Sequence, residues 1–190
     1  IVIGESRAGN NRGDLKVVNA PVNAFGRAHQ VLTDDSMDIS KRSKGWVLAK
    51  MACVFPGDCG AELNIIPVDR VAAGIIAALS CPKAIGERIH LATDKRLRAQ
   101  RMSEIVKEEL GVEIKLSEPT LHRTIRLPVL VTILERFGQE RLGDALEKLG
   151  TIFGGYSEWG QPIHQVGNDV TLLGLSPKRP DTELAFRMLC

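Results

Sequence analysis

The stretch LNIIPVDRVAAGIIAALS, residues 63–80, constrains the fold more than any other part of the chain. Leu63 to Ile66 reads as a short strand and Pro67 as a turn, with Asp69 placed to cap a helix. In that helix Val71, Ile75 and Leu79 form one apolar stripe, with Ala72 and Ile76 beside it. The opposite side carries the small residues Ala73, Ala77 and Ala78, so the helix is expected to be covered by close neighbours on nearly every side.

The next segments repeat the alternation. RIHLAT, residues 88–93, reads as a second strand, and MSEIVKEELG as part of a helix that begins at Ser103 or a little before it and stops at Gly111. VEIKL alternates as a short strand. Strand, helix, strand, helix, strand is the order of an α/β layer with parallel pairing. Upstream, Ile1 to Ile3 is continuously apolar and ends at Gly4, as a buried strand does where it leaves its sheet. A chain rarely starts in mid-strand and this one begins without methionine, so it is expected to be the torn end of something larger. Residues from about 5 to 60 read as a long excursion, with Val18, Val22, Phe25, Ala28 and Leu32 near helical spacing and an irregular stretch after Thr33. Beyond Pro119 the texture is helical, interrupted at Gly138 and Gly143. FGGYSEWGQP is a loop, and the tail from Pro180 is a helix that stops abruptly at Cys190. The apolar Leu184, Ala185, Met188 and Leu189 make an improbable finish for it. The division is an α/β part over 1–116 and a mainly helical part over 117–190.

A formal charge of +2, from 25 basic and 23 acidic side chains, offers no general attraction for polyphosphate. Five phenylalanines, two tryptophans and one tyrosine are not interleaved with basic residues as base-stacking platforms require, so nucleic acid is not expected as a partner. No apolar run is long enough to span a bilayer. Cys53, Cys59, Cys81 and Cys190 form no C-x-x-C pair and the four histidines are scattered, so no zinc site is signalled. Reduced thiols in a cytoplasmic protein are the expectation.

Motifs for self-contained chemistry are missing. Gly4, Gly9 and Gly13 in IVIGESRAGNNRGD fit neither the P-loop nor the G-x-G-x-x-G dinucleotide turn. Arg7 and Arg12 read as solvated loop arginines that could still meet an anion. Cys59 in FPGDCG has no histidine nearby in sequence and reads as an ordinary thiol. His90, between Ile89 and Leu91, reads as a core or face histidine. Asp58 and Glu62, like Asp34, Asp35 and Asp38, form no established acid/base pair. No catalytic residue is assigned.

Three blocks together resemble the C-terminal half of an extended short-chain dehydrogenase/reductase, in its fatty acyl-CoA reductase and thioester-reductase branch. IVIGESRAG is similar to the strand and loop that follow the family's catalytic helix. LNIIPVDRVAAGIIAAL resembles its strand, Pro-Val-Asp turn and long helix. GERIHLATDKRLRAQRMSEIVKEELG resembles the next strand and helix. The resemblance spans about residues 1–116. It implies a partial Rossmann-like parallel sheet with a helical, substrate-binding lid, and NAD or NADP as cofactor. Ile3 and Gly4 would lie beside the nicotinamide, with Ser6 and Arg7 facing a small-molecule substrate. It also implies a missing N-terminal Rossmann half carrying the glycine-rich turn and a Tyr-x-x-x-Lys pair. The sole tyrosine, Tyr156, is followed by Ser-Glu-Trp and has no lysine four residues on.

Where nucleotide-sugar epimerases of this superfamily carry a diphosphate-binding arginine, this chain has Glu62, whose charge would repel a diphosphate. HQVGNDVTLLG is faintly similar to the Phe-Asp-x-x-Asn segment of acyl reductases, with Asn168 matching and Gln165 in place of the aspartate. The expected activity is hydride transfer to a carbonyl or thioester of an acyl-type or hydrophobic substrate, by the intact protein only. The alternatives are a non-catalytic binding or regulatory module on the same scaffold, or an epimerase. Homo-oligomerisation is left open, and a sheet edge and apolar face without their Rossmann half would promote self-association.

Overall fold

The structure, a computed structural model, describes residues 1–5, 22–23, 26, 29–30, 33, 54–136, 147 and 165–190. The described elements are β1 (Val2–Ile3), β2 (Val54–Pro56), β3 (Glu62–Leu63), β4 (Ile66–Pro67), α1 (Val68–Leu79), β5 (Leu97–Arg98), α2 (Ala99–Leu110), β6 (Lys115–Ser117), α3 (Pro119–Leu121), α4 (Leu127–Arg136), α5 (Asn168–Thr171) and α6 (Thr182–Leu189). A π-helical turn, His122–Arg126, joins α3 to α4. The chain is a mixed α/β protein. Its described strands form three separate pairs: β1 with β4 and β2 with β6 run parallel, and β3 with β5 runs antiparallel.

The expected strand at Leu63–Ile66 is split in two. Leu63 lies opposite Leu97, whereas Ile66 lies opposite Val2, so one short segment serves two ladders with Asn64 and Ile65 at the crossover. The reason is a side chain. Asn64 Nδ2 donates to the Thr93 carbonyl at 2.7 Å, and the Thr93 N–H donates to Asn64 Oδ1 at 3.1 Å. This amide reproduces the paired bonds of a strand neighbour. It also accounts for a correction: RIHLAT forms no ladder among the described residues, because Thr93 is tied to the Asn64 side chain and the Ala92 carbonyl accepts from Arg179 Nη1 at 3.0 Å.

α1 forms where the sequence predicts it, but Asp69 does not cap it. Pro67 occupies the cap position and Asp69 sits inside the first turn, where its charge complements the helix dipole. The larger correction concerns the faces. Arg70 and Gly74 are the buried positions, while Ile75, Ile76 and Leu79 are exposed. Gly74 is required by close approach: a Cβ there would stand 2.4 Å from a methyl of Leu91. α2 ends as expected at Gly111, whose φ of 66° is the left-handed conformation that glycine adopts without strain. VEIKL is a strand only over its last residues and Ser117, parallel to Val54–Pro56. Gly138, Gly143 and FGGYSEWGQP lie outside the described residues.

The core gathers Ile3, Leu63, Ile65, Leu97, Ile105, Val106 and Val112 against one side of α6. Of the apolar residues near Cys190, expected to be an improbable finish for the helix, Ala185 and Leu189 belong to this core. Asp181 caps α6, accepting from the Glu183 and Leu184 N–H groups at 2.9 and 3.1 Å, and Ala185, Phe186 and Leu189 enter the core. Leu184 faces water. The outer side of α6 is laced to α2: Arg101 meets Glu104, Glu108 and Glu183, and Arg187 meets Glu108, Glu109 and Glu183. These pairs are solvent-accessible and orient more than they stabilise.

Phe186 is 1% exposed, so Phe186→Ala should destabilise the fold by about 3–5 kcal/mol, whereas Leu184→Ala should change it by less than about 0.5 kcal/mol. Chemical denaturation of the two variants checks this, and equal effects would show that α6 is not part of the core.

Candidate functional site

Because β1 and β4 are parallel, their carboxyl ends lie side by side, Ile3 opposite Pro67. At that edge β1 runs into Gly4, and β4 runs directly into the first turn of α1. The Ile66 N–H donates to the Ile1 carbonyl at 2.9 Å, which holds the pairing upstream of the ends. The start of a helix thus stands next to a glycine at a strand end. Ile3 and Gly4 are both buried, and the Ile3 side chain belongs to the core, so contact with a ligand there would come from the main chain. Ser6 and Arg7 lie outside the described residues.

The first turn of α1 also contributes to a charge cluster that no sequence pattern announces. Asp169, 1% exposed, accepts at 2.8 Å from Arg70 Nη2, and at 2.8 Å from both Nη1 and Nη2 of Arg179. The Gly167 N–H adds a fourth donor at 3.2 Å. Arg70 Nη1 donates in turn to the Ser176 carbonyl at 2.8 Å. Burial by itself would raise the Asp169 carboxyl, but the hydrogen bonds from Arg179 and Arg70 outweigh it and hold the group well below the usual carboxylate range. With every Asp169 oxygen engaged, the cluster is a structural clamp in its chemistry and has no free base. Asn168, the residue matched to the acyl-reductase segment, is exposed at the start of α5, and Gln165 is exposed as well. The buried member is their neighbour Asp169. No local signal marks it, since Arg70 is distant in sequence and Arg179 follows it at no helical or strand spacing.

Two further polar groups are buried without hydrogen-bond partners, Ser117 Oγ at the end of β6 and His122 Nδ1 in the π-helical turn. Burial first, and Arg126 second, lower the His122 pKa below the usual histidine value, so the ring is neutral near pH 7. Glu118 between them is committed, accepting from the N–H groups of Thr120 and Leu121 at 2.9 and 2.6 Å and so capping α3.

Glu62 stands opposite Arg98 across the β3–β5 pair, with Arg98 Nε 3.3 Å from its carboxylate. The position that reads as negative in sequence is therefore locally compensated, which weakens its repulsion of a diphosphate. Cys59 is exposed in a turn closed by Asp58, whose Oδ1 accepts from the Gly60 N–H at 2.9 Å. An open cleft of about 380 Å³ lies between Lys95–Leu97 and the start of α6. Its acidic members are already engaged, Asp181 as the cap and Glu183 with Arg101 and Arg187. Among the described residues no three of His, Cys, Asp and Glu converge as a metal-binding set, and no helix is long and apolar enough to cross a membrane.

No protein-family model, curated protein or solved structure matches the chain.

The clamp sets an acid limit on stability. A carboxyl whose folded pKa is depressed contributes stability above its unfolded value, near 3.8, and loses it as pH falls toward the folded value. Asp169→Asn should cost about 3–5 kcal/mol at pH 7, by leaving two buried guanidinium groups facing a neutral amide. The same change should flatten the fall in stability below about pH 4. Thermal melts from pH 7 to 2 on both proteins check it. His122 acts in the same direction at higher pH: burial keeps the folded ring neutral where the unfolded ring charges, so stability is lost as pH falls below 6.5, and His122→Gln should reduce that loss.

Proposed function

We propose that the chain is the C-terminal, substrate-binding part of an NAD(P)-dependent reductase of the extended short-chain type, acting on the carbonyl or thioester carbon of an acyl-type or hydrophobic substrate. The observation that carries this reading is the pair of parallel strand ends, Ile3–Gly4 beside Pro67 and the start of α1. In open α/β sheets ligands bind in the crevice outside the carboxyl ends of parallel strands. Gly4 has no side chain to keep a ring or an acyl group from the main chain. Ser6 and Arg7, the next residues but one in sequence, take the substrate side in this reading.

The residues present suit one wall of such a site and no more. The 190 residues contain neither a G-x-G-x-x-G turn nor a Tyr-x-x-x-Lys pair. The nicotinamide dinucleotide, which supplies or accepts hydride when bound, would be held mainly by a Rossmann half outside this sequence. That half would also bring the tyrosine that moves the proton. This chain's own part is to close the crevice, exclude water and orient the acyl group.

NADH and NADPH oxidation with a medium-chain acyl-CoA and with the matching aldehyde tests this reading. The isolated chain should show no turnover, and the polypeptide extended through the open reading frame that precedes Ile1 should show it. In the extended protein Gly4→Val should lower kcat/KM by about tenfold or more, with circular dichroism and melting recorded alongside to separate loss of the crevice wall from loss of fold. Turnover by the isolated chain, or an upstream frame without the glycine-rich turn and the Tyr-x-x-x-Lys pair, overturns the proposal.

A further inference from the structure

The segment 92–95 lies outside every ladder, yet it is held at three of its four residues. The Ala92 carbonyl accepts from Arg179 Nη1 at 3.0 Å, and both main-chain groups of Thr93 are bonded to the Asn64 amide. The Lys95 carbonyl accepts from the hydroxyls of Thr93 and Thr182 at 2.9 and 3.1 Å. Loops positioned in this way by a rigid scaffold are where binding residues concentrate. The chain bends at Asp94 and Lys95, and Lys95 to Leu97 then line the open cleft of about 380 Å³ against the start of α6. That volume lies within the range of small-molecule sites. Leu97, 5% exposed, is the buried apolar member of the lining, and Leu184 is the exposed one. The charged members divide by what they already hold. Glu183 accepts from Arg101 and Arg187 at 2.6 and 3.1 Å, Arg187 is further committed to Glu108 and Glu109, and Asp181 caps α6. Lys95 and Arg96 make no side-chain hydrogen bond or ion pair among the described residues, and Arg96 is only partly exposed. The pinned loop therefore brings two uncommitted cations to one cleft.

We infer that this cleft binds a small phosphate monoester, its phosphate dianion held by Lys95 and Arg96 and its organic body set against Leu97. Two uncommitted positive charges match a dianion, whereas a carboxylate balances only one of them. The guanidinium offers paired donors in a plane and the ammonium a mobile point charge, the two ways in which side chains hold phosphate. The Glu183 and Leu184 N–H groups at the start of α6 already donate to Asp181, so recognition of the charge falls to the two basic side chains. The small charge of the whole chain makes the attraction local, which suits a small ligand and not a nucleic acid. Asp181, which has no cation partner among the described residues, opposes the dianion and limits its affinity. None of Ile3, Gly4 and Pro67 lines the cleft, so the inference stands apart from the reductase reading, and absence of nicotinamide-dependent turnover leaves it untouched.

Titration of the 190-residue chain with phenyl phosphate, inorganic phosphate and benzoate tests the inference, by calorimetry and by backbone amide NMR shifts. The titrations are run at constant ionic strength and about pH 7.5, where a phosphate monoester is mostly a dianion. Phenyl phosphate should bind saturably, inorganic phosphate more weakly and benzoate weakest, with the amide shifts centred on Arg96, Leu97 and Thr182. Lys95→Gln and Arg96→Gln should each weaken phenyl phosphate binding about tenfold. Circular dichroism and melting should stay unchanged in both, since neither side chain holds a partner among the described residues. Asp181→Asn keeps a capping oxygen and removes the charge, so it should tighten binding severalfold. Lys115→Gln, at an exposed position of β6 outside the cleft, should change nothing and so separates the site from non-specific attraction. Absence of saturable phenyl phosphate binding overturns the inference. So does affinity indifferent to both Lys95→Gln and Arg96→Gln, or binding of benzoate or inorganic phosphate as tight as that of phenyl phosphate.

Discussion

The clamp of Arg70 and Arg179 on the Asp169 carboxylate is the interaction on which the arrangement of the described residues depends. It joins three segments far apart in sequence: the first turn of α1, the loop at Ala92 reached through Arg179, and the turn around α5. Two guanidinium groups on one carboxylate leave an excess positive charge in a poorly solvated place, and Arg70 Nε is buried without a partner. Such a cluster is poor in net stabilisation and strong in specificity, because any misplaced member leaves a buried charge uncompensated. The rotation of α1 follows from it, and the exposure of Ile75, Ile76 and Leu79 follows from that rotation.

The second organising device is the replacement of sheet by side chain. The strand pairs are only two or three residues long, shorter than strands that stand by themselves. Asn64 extends the pairing by binding both main-chain groups of Thr93. The Thr93 hydroxyl donates to the Lys95 carbonyl at 2.9 Å, and Thr182, the first residue of α6, donates to the same carbonyl at 3.1 Å. A polar thread therefore runs from the β3–β4 crossover to the final helix, under the apolar contacts that Phe186 and Leu189 make with the core. Where the chain approaches its candidate ligand edge, order is kept by these buried hydrogen bonds, each costly to leave unmade.

The same contrast explains which parts are legible from the residues. α1, α2 and α6 are legible because helical spacing, the glycine at position 111 and the break before Asp181 act within a few residues of one another. The mixed α/β character is legible for the same reason, through alternation of short local patterns. The strand expected at RIHLAT does not form, since a strand exists only by virtue of its neighbour and Thr93 finds an asparagine side chain instead. Asp169 is silent in the sequence beside Asn168 because its importance comes from Arg70, 99 positions away.

Local chemistry, then, settles where helices start and stop, that strands alternate with them, and that neither a dinucleotide turn nor a catalytic tyrosine pair lies in these 190 residues. These are matters of steric preference and residue identity over short spans. Which face of each helix is covered is settled only in three dimensions. An apolar stripe on α1 and an apolar stripe on α6 look alike in sequence, yet the first is exposed and the second forms the core. Burial is decided by the competition among all the surfaces the folded chain brings together, and a single desolvated carboxylate outranks four aliphatic side chains in fixing how a helix is turned.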